Sequence, residues 1–246
     1  MKDWLGAFYP ESQFGGFADI DGTIAFYLRV HSLTTPSSVL LDFGCGCGAY
    51  ANDPIPIRRQ LRIFRSKVAR VIGLDVDQAG RFNPFIDEFR PVVVGQPRPA
   101  EGKSVDIMIS DSVMEHLPDP EFFFSESKRV LRPGGYLCIR TTNLLSYVGI
   151  IARLIPNLYH RLILRIAQPG RKEEDIFPTL YRCNTVFQLR KWMRKYGFDH
   201  VCYGYEAAPS YLNFSKILYA LGVLHQKYAP GFIKPTIFAY GRSNSQ

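Results

Sequence analysis

Short, largely apolar runs recur through the first 143 positions: Val39-Leu40-Leu41, Val71 to Asp75, Val92-Val93-Val94, Val105 to Ser110 and Tyr136 to Ile139. Runs that are mostly apolar, rather than strictly alternating, predict strands buried on both faces of a parallel sheet. Between them the apolar residues take helical spacing. Thr23 to Ser32 reads as one helix, and Ile57, Leu61, Phe64 and Val68 mark the buried stripe of a second. A helix also runs into Leu131, ahead of the tight turn Pro133-Gly134-Gly135. Further on, Val186, Leu189, Met193 and Tyr196 mark a helix over 185–196 with Gly197 as its C-terminal cap. Residues 201–206 and 232–240 read as two last strands, with an apolar helix over 211–227 between them.

Length sets the scale. A chain of 246 residues, 46% hydrophobic, can bury one sizeable core. A single domain over 1–246 is expected, with an aromatic lead-in at 1–35, a core at 36–143, an insert at 144–182 and the rest of the sheet at 183–246. No run of 18 apolar residues offers a membrane span, and Met1 to Gly6 lack the apolar core of a signal peptide. The five cysteines form no C-x-x-C pair, which suits reduced thiols and a cytoplasmic protein. Cys45 and Cys47 have no companion ligands at metal spacing, so no metal is expected. A net charge of +8 raises nucleic acid as a partner, but the basic residues are scattered. Arg58, Arg59, Arg62, Arg65 and Arg70 read as the solvated face of an outer helix.

The chemistry sits at Val39-Leu40-Leu41-Asp42-Phe43-Gly44-Cys45-Gly46-Cys47-Gly48. Glycines at the carboxyl end of a buried strand let the backbone approach a ligand closely, and helix amides beyond them suit an anionic group. Gly44, Gly46 and Ala49 alone also satisfy the dinucleotide fingerprint. The tie is broken by the later strand ending in Asp75, by Asp106 to Asp111 running into Val113-Met114-Glu115-His116-Leu117-Pro118, and by Leu131-Arg132-Pro133-Gly134-Gly135. In this order the residues resemble the class I S-adenosylmethionine-dependent methyltransferases, in the small-molecule branch, strongly over 36–143.

That resemblance implies an α/β fold: a Rossmann-like seven-stranded sheet with helices on both faces, an antiparallel last strand and a helical cap inserted after strand five. It implies S-adenosylmethionine as cofactor, held by Asp42, Gly44, Cys45, Gly46, Gly48, Asp75, Gln96, Ser110 and Asp111. Asp42 would orient the loop or the methionine amino group and Asp75 would hold the ribose, or else cap a helix, a task Asp77 can also perform. Gln96 stands where the family offers an acidic residue to adenine, and its carbonyl oxygen can accept the same bond. Asn52-Asp53-Pro54-Ile55-Pro56 displaces the first helix to about Ile57.

Asp111-Ser112-Val113-Met114 replaces the Asn/Asp-Pro-Pro-Tyr of enzymes that methylate nucleic-acid amines, which weighs against a nucleic-acid partner. The expected reaction is methylation of a small, amphiphilic metabolite at oxygen. The alternatives are an RNA or protein acceptor, or an inactive cofactor-binding module serving a partner protein. His116 is the candidate base, set against a structural role for a singly placed histidine; Tyr147, His160 and Tyr181 are weaker candidates. The insert is apolar, with Arg153, Arg161 and Arg165 on one face. For 144–168 two placements stay open: a helix pair packed on the sheet, or an interfacial helix in transient contact with an anionic membrane surface.

Overall fold

A computed structural model describes residues 4–14, 20–154 and 179–244. Its seven strands are β1 (Val39–Phe43), β2 (Arg70–Asp75), β3 (Glu88–Pro91), β4 (Val105–Asp111), β5 (Leu131–Thr142), β6 (Phe198–Tyr205) and β7 (Thr236–Ser243). They form one sheet in the order β3-β2-β1-β4-β5-β7-β6. The first five pair in parallel, and β7 runs antiparallel to both neighbours. The sheet and its reversed last strand are those expected.

Strand residues divide between two cores. Leu41, Ile72 and Met108 point to one face, under α4 (Pro120–Val130) and α6 (Val186–Lys195). Leu40, Val71 and Ile107 point to the other, under α2 (Gly22–Leu33) and α3 (Pro56–Arg62). Sequence neighbours therefore fall on opposite faces, and covering both faces is what makes the runs mostly apolar. Phe123 and Phe124 of α4 and Leu189 and Met193 of α6 fill the first layer; Phe26 and Val30 of α2 fill the second.

Local chemistry explains the helix ends. Asp21 caps α2 by accepting from the amides of Thr23 and Ile24, and Thr185 caps α6 by accepting from Gln188. Gly197, just past α6, takes φ +67°. Pro56 opens α3, where a missing amide costs nothing, so the displaced first helix starts where the prolines put it; it ends at Arg62, however, so of the expected helical stripe only Leu61 is buried on the helix, Phe64 and Val68 are buried beyond its end, and Ile57 is exposed.

The third strand differs from expectation. Glu88 to Pro91, not Val92 to Val94, pairs with Ile72 to Asp75. Val92 donates the last bond, to the Asp75 carbonyl, after which Val93 and Val94 turn out into solvent. β-Branched composition marked the wrong triplet because β2 sets the register.

The remaining α-helices among the described residues are α1 (Leu5–Phe8), α5 (Tyr147–Leu154) and α7 (Lys216–Tyr228). The lead-in packs Trp4, Leu5, Phe8 and Tyr9 against Tyr219 and Val223 of α7. Of the expected cap, residues 155–178 lie outside the described residues, as do Phe17 and the side chain of Arg153. The first helix of that cap is α5, whereas the stretch expected for its second helix, His160, and Arg161 and Arg165 of the face proposed for membrane contact fall there. The described ends of the insert are anchored: Leu144 donates to the Asn184 carbonyl, and Leu180 and Tyr181 donate to the Glu115 carbonyl. Among the described residues no helix is long and apolar enough to cross a membrane.

Candidate active site

Strand order reverses between β1 and β4, whose following segments leave to opposite sides, and ligands of open α/β sheets enter at that crevice. The glycine loop lies on its β1 side. Gly44, Gly46 and Gly48 all have positive φ, +83°, +51° and +80°. The amides of Gly44 and Cys45 donate to the Leu74 carbonyl, which folds the loop over the end of β2. A Cβ on Gly44 would collide with Val113, whereas a Cβ on Gly46 would meet nothing within 4 Å. Gly46 thus borders open space, a cradle that a side chain would fill.

Asp75 ties this loop down. Its Oδ2 accepts from the Gly46 amide at 2.8 Å and its Oδ1 from the Asp77 amide at 2.9 Å, while Asp77 itself caps the next turn through the Ala79 amide. Each Asp75 oxygen keeps a lone pair for a further donor. The Cys45 thiol is buried, and burial raises its pKa. The loop presents Cys45 through its backbone, whose carbonyl accepts from Asn83 at 2.9 Å.

Asp42 stands at the end of β1, facing the same crevice. Burial, then the charges of Asp111 and Asp75, push its pKa up from 3.8 to about 7, against a smaller pull from Arg62. Arg62 was expected on a solvated face. Instead its guanidinium lies 5.7 Å from the ring centres of both Tyr27 and Tyr50, and its Nε is buried with no hydrogen-bond partner among the described residues. Arg58, one turn earlier, pairs with Asp21 at 3.2 Å and Asp53 at 2.7 Å. The displaced helix therefore turns two arginines inward.

On the β4 side, Asp111 is engaged by protein. Arg140 donates from Nε to Oδ1 at 2.7 Å and from Nη2 to Oδ2 at 2.6 Å, Tyr27 adds its hydroxyl at 2.9 Å, and Arg140 also reaches Thr23. Burial opposes the charge on Asp111, but the bidentate arginine outweighs it and holds the carboxyl below its usual range. An acid so held is a poor base. Ser110, beside it, is fully buried, and its Oγ has no partner among the described residues.

Beyond the ends of β4 and β5 lies a cavity of about 480 Å³. Ser112, Arg140, Thr141, Thr142, Tyr147 and Glu206 give it polar walls; Leu5, Ile20, Ile55 and Tyr219 give it apolar ones. Glu206 follows β6 and is buried. Its Oε2 sits 2.6 Å from His225 Nδ1, and its Oε1 accepts from the Tyr147 hydroxyl at 3.3 Å. Burial raises the Glu206 pKa, with His225 and Tyr147 opposing.

His116 lies in a one-turn helix, Met114–His116, and is absent from the lining of this cavity. Its neighbour Glu115 is a buried clamp that accepts from Thr141 at 2.8 Å. Gln96 is exposed, in a turn closed by its amide on the Val93 carbonyl. Sequence reasoning missed Arg62, Arg140, Tyr27 and the Glu206–His225 pair. One signal was there to read: arginines recurring at helical spacing directly after a glycine loop.

The donor set suits S-adenosylmethionine. An open glycine cradle, a carboxylate with spare lone pairs at the end of β2, an acid beside a guanidinium lacking a full set of partners, and an orphaned serine hydroxyl surround one crevice. Comparison with known proteins agrees. A family model described as a methyltransferase domain matches residues 21–203. A probable S-adenosylmethionine-dependent methyltransferase of Mycolicibacterium smegmatis is 35% identical over 114 residues, covering 44% of this chain and 39% of that one. A ubiquinone biosynthesis O-methyltransferase of Rhizobium rhizogenes is 30% identical over 104 residues, covering 42% and 41%. Each of those matches takes in about two-fifths of the curated relative's length. A SAM-dependent methyltransferase structure from Archaeoglobus fulgidus shares the fold, with TM-score 0.55 at 17% identity over 96% of this chain and 99% of that one. The fold is that of a Rossmann-like methyltransferase. The chain belongs to the class I S-adenosylmethionine-dependent methyltransferases, whose cofactor is S-adenosylmethionine.

Proposed function

We propose that this protein transfers the methyl group of S-adenosylmethionine to a hydroxyl oxygen of a small amphiphilic acceptor seated in the cavity beyond β4 and β5. The observation that carries the reading is that cavity: a volume fit for a small molecule, with hydroxyls and a buried carboxylate on one side and apolar walls on the other. When bound, the sulfonium supplies an already activated methyl group, so the chain's own work is positioning, exclusion of water and handling of one proton.

Asp42 takes the methionine ammonium and Arg62 the methionine carboxylate, while Asp75 takes the ribose hydroxyls. Gly46 leaves room for the chain of atoms between them. Asp111, paired with Arg140, holds Tyr27 and Thr23 in place as the wall between cofactor crevice and cavity. Ser112 and Thr142 orient the acceptor. Glu206 accepts the acceptor's hydroxyl proton, because it is a buried carboxylate on the cavity wall with its pKa raised and with His225 placed to share the charge. His116 is too poorly placed for that role, being absent from the cavity wall.

The test is incubation with methyl-labelled cofactor and a panel of phenols, catechols and aliphatic alcohols with and without apolar tails, followed by mass spectrometry. Methyl ethers are the expected products, formed by the wild type and depressed in Glu206→Gln without loss of cofactor affinity. Methylated amines or thiols in place of ethers would refute the oxygen assignment.

A further inference from the structure

The inner side of α7 is well covered: Tyr219, Gly222 and Val223 are buried, against the aromatic lead-in and Pro209. The outer side is not. Phe214, just ahead of the helix, and Ile217, Leu221, Leu224 and Tyr228 on it are between 53% and 79% exposed. At about 100° per residue the four helical positions fall within a band of roughly 60°, so they form one continuous stripe along the helix. A single exposed leucine calls for no explanation, but a stripe along three turns does.

Charge says what could cover it. Lys216 and Lys227 are exposed and lie about a quarter-turn to one side of the stripe by the same geometry. From Ala207 to Gln246 the sequence contains no Asp or Glu, against Lys216, Lys227, Lys234 and Arg242. A second copy docking antiparallel through the same face would bring Lys216 of one copy toward Lys227 of the other, at a repulsive cost. A lipid surface takes both features together: apolar side chains enter the headgroup boundary and the lysines stay among anionic headgroups.

We propose that the outer face of α7 docks on an anionic lipid surface. This surface is separate from the insert at 144–168. α7 and the turn before it also wall the cavity through Tyr211, Asn213 and Tyr219, so docking sets that wall at the lipid boundary. The proposal rests on the acceptor reading above only where it makes the membrane the source of an amphiphilic acceptor.

The experiment is co-sedimentation of the full chain with vesicles of phosphatidylcholine and phosphatidylglycerol, and with phosphatidylcholine alone, at low and high salt. No turnover is needed, so its outcome is independent of the acceptor. Binding is expected to the anionic vesicles at low salt and to fall at high salt. Two lysines near such a surface together contribute about thirty-fold in affinity, so the double variant Lys216→Gln/Lys227→Gln should lose about that factor. The triple variant Ile217→Ser/Leu221→Ser/Leu224→Ser should lose binding, while retaining circular dichroism and affinity for S-adenosylhomocysteine, because those side chains are exposed. Val201→Ser, at an exposed position on β6, should bind as wild type. Absence of wild-type binding at low salt overturns the proposal, and so does binding that the triple variant leaves unchanged. A dimer in sedimentation equilibrium that the triple variant dissociates, without vesicle binding by the wild type, assigns the face to a second copy and overturns it as well.

Discussion

Asp42 should make cofactor affinity depend on pH across neutrality. The carboxyl is buried at the end of β1 with Asp111 and Asp75 nearby, and its pKa in the ligand-free protein stands at about 7. Only its ionised form attracts an ammonium. Affinity for S-adenosylhomocysteine should therefore rise about tenfold per pH unit below 7 and level off above it, or about thirty-fold between pH 5.5 and 8, equivalent to about 2 kcal/mol. The sign for stability is opposite. A carboxyl whose folded pKa lies above its unfolded value stabilises the ligand-free fold at low pH, and that contribution is lost as pH rises from about 4 through 7. The shift from 3.8 to about 7 sets the loss at no more than about 4 kcal/mol. Asp42→Asn should flatten the affinity profile at its acidic level and raise the unfolding temperature of the ligand-free protein at pH 8. Isothermal titration calorimetry over this range, in two buffers of different ionisation enthalpy, reads both the affinity and the proton released on binding. An affinity that stays level from pH 5.5 to 8 in the wild type would refute the assignment of Asp42 to the ammonium.

Two further substitutions probe the arginines. Arg62→Met should weaken S-adenosylhomocysteine by about tenfold to a hundredfold, the range for one hydrogen-bonded charge, and leave 5′-methylthioadenosine, which lacks the amino-acid end, unaffected in the same titration; equal losses for both ligands would remove Arg62 from the carboxylate. Arg140→Leu strands the buried carboxylate of Asp111, so unfolding in urea should show a destabilisation of about 3 to 5 kcal/mol, and Arg140→Leu/Asp111→Leu should recover most of it.

The strands β1, β2, β4 and β5, the glycine loop, the displaced helix and the antiparallel end of the sheet were legible in the sequence. Each depends on local chemistry: apolar runs need cover on both faces, Pro56 is tolerated only in a first helical turn, and Gly46 supplies a positive φ beside a cradle. β3 was not legible, because an edge strand takes its register from β2 and three valines in a row carry no information about that partner. Nor was the direction of the arginines. Arg58 and Arg62 share a basic run with residues that do face water, and what turns them inward are Asp21, Tyr27 and Tyr50, brought in by other elements. Tyr27 meets Asp111 across 84 positions and Arg140 meets Thr23 across 117. The sequence alone thus determined the scaffold strands and loop, which follow from periods and turns within a few residues, while the cofactor was read from the resemblance that motifs across 36–143 carry together. Only the tertiary structure decided which charges meet and which side chains wall the acceptor cavity, because a charge has no preferred partner until folding removes it from water.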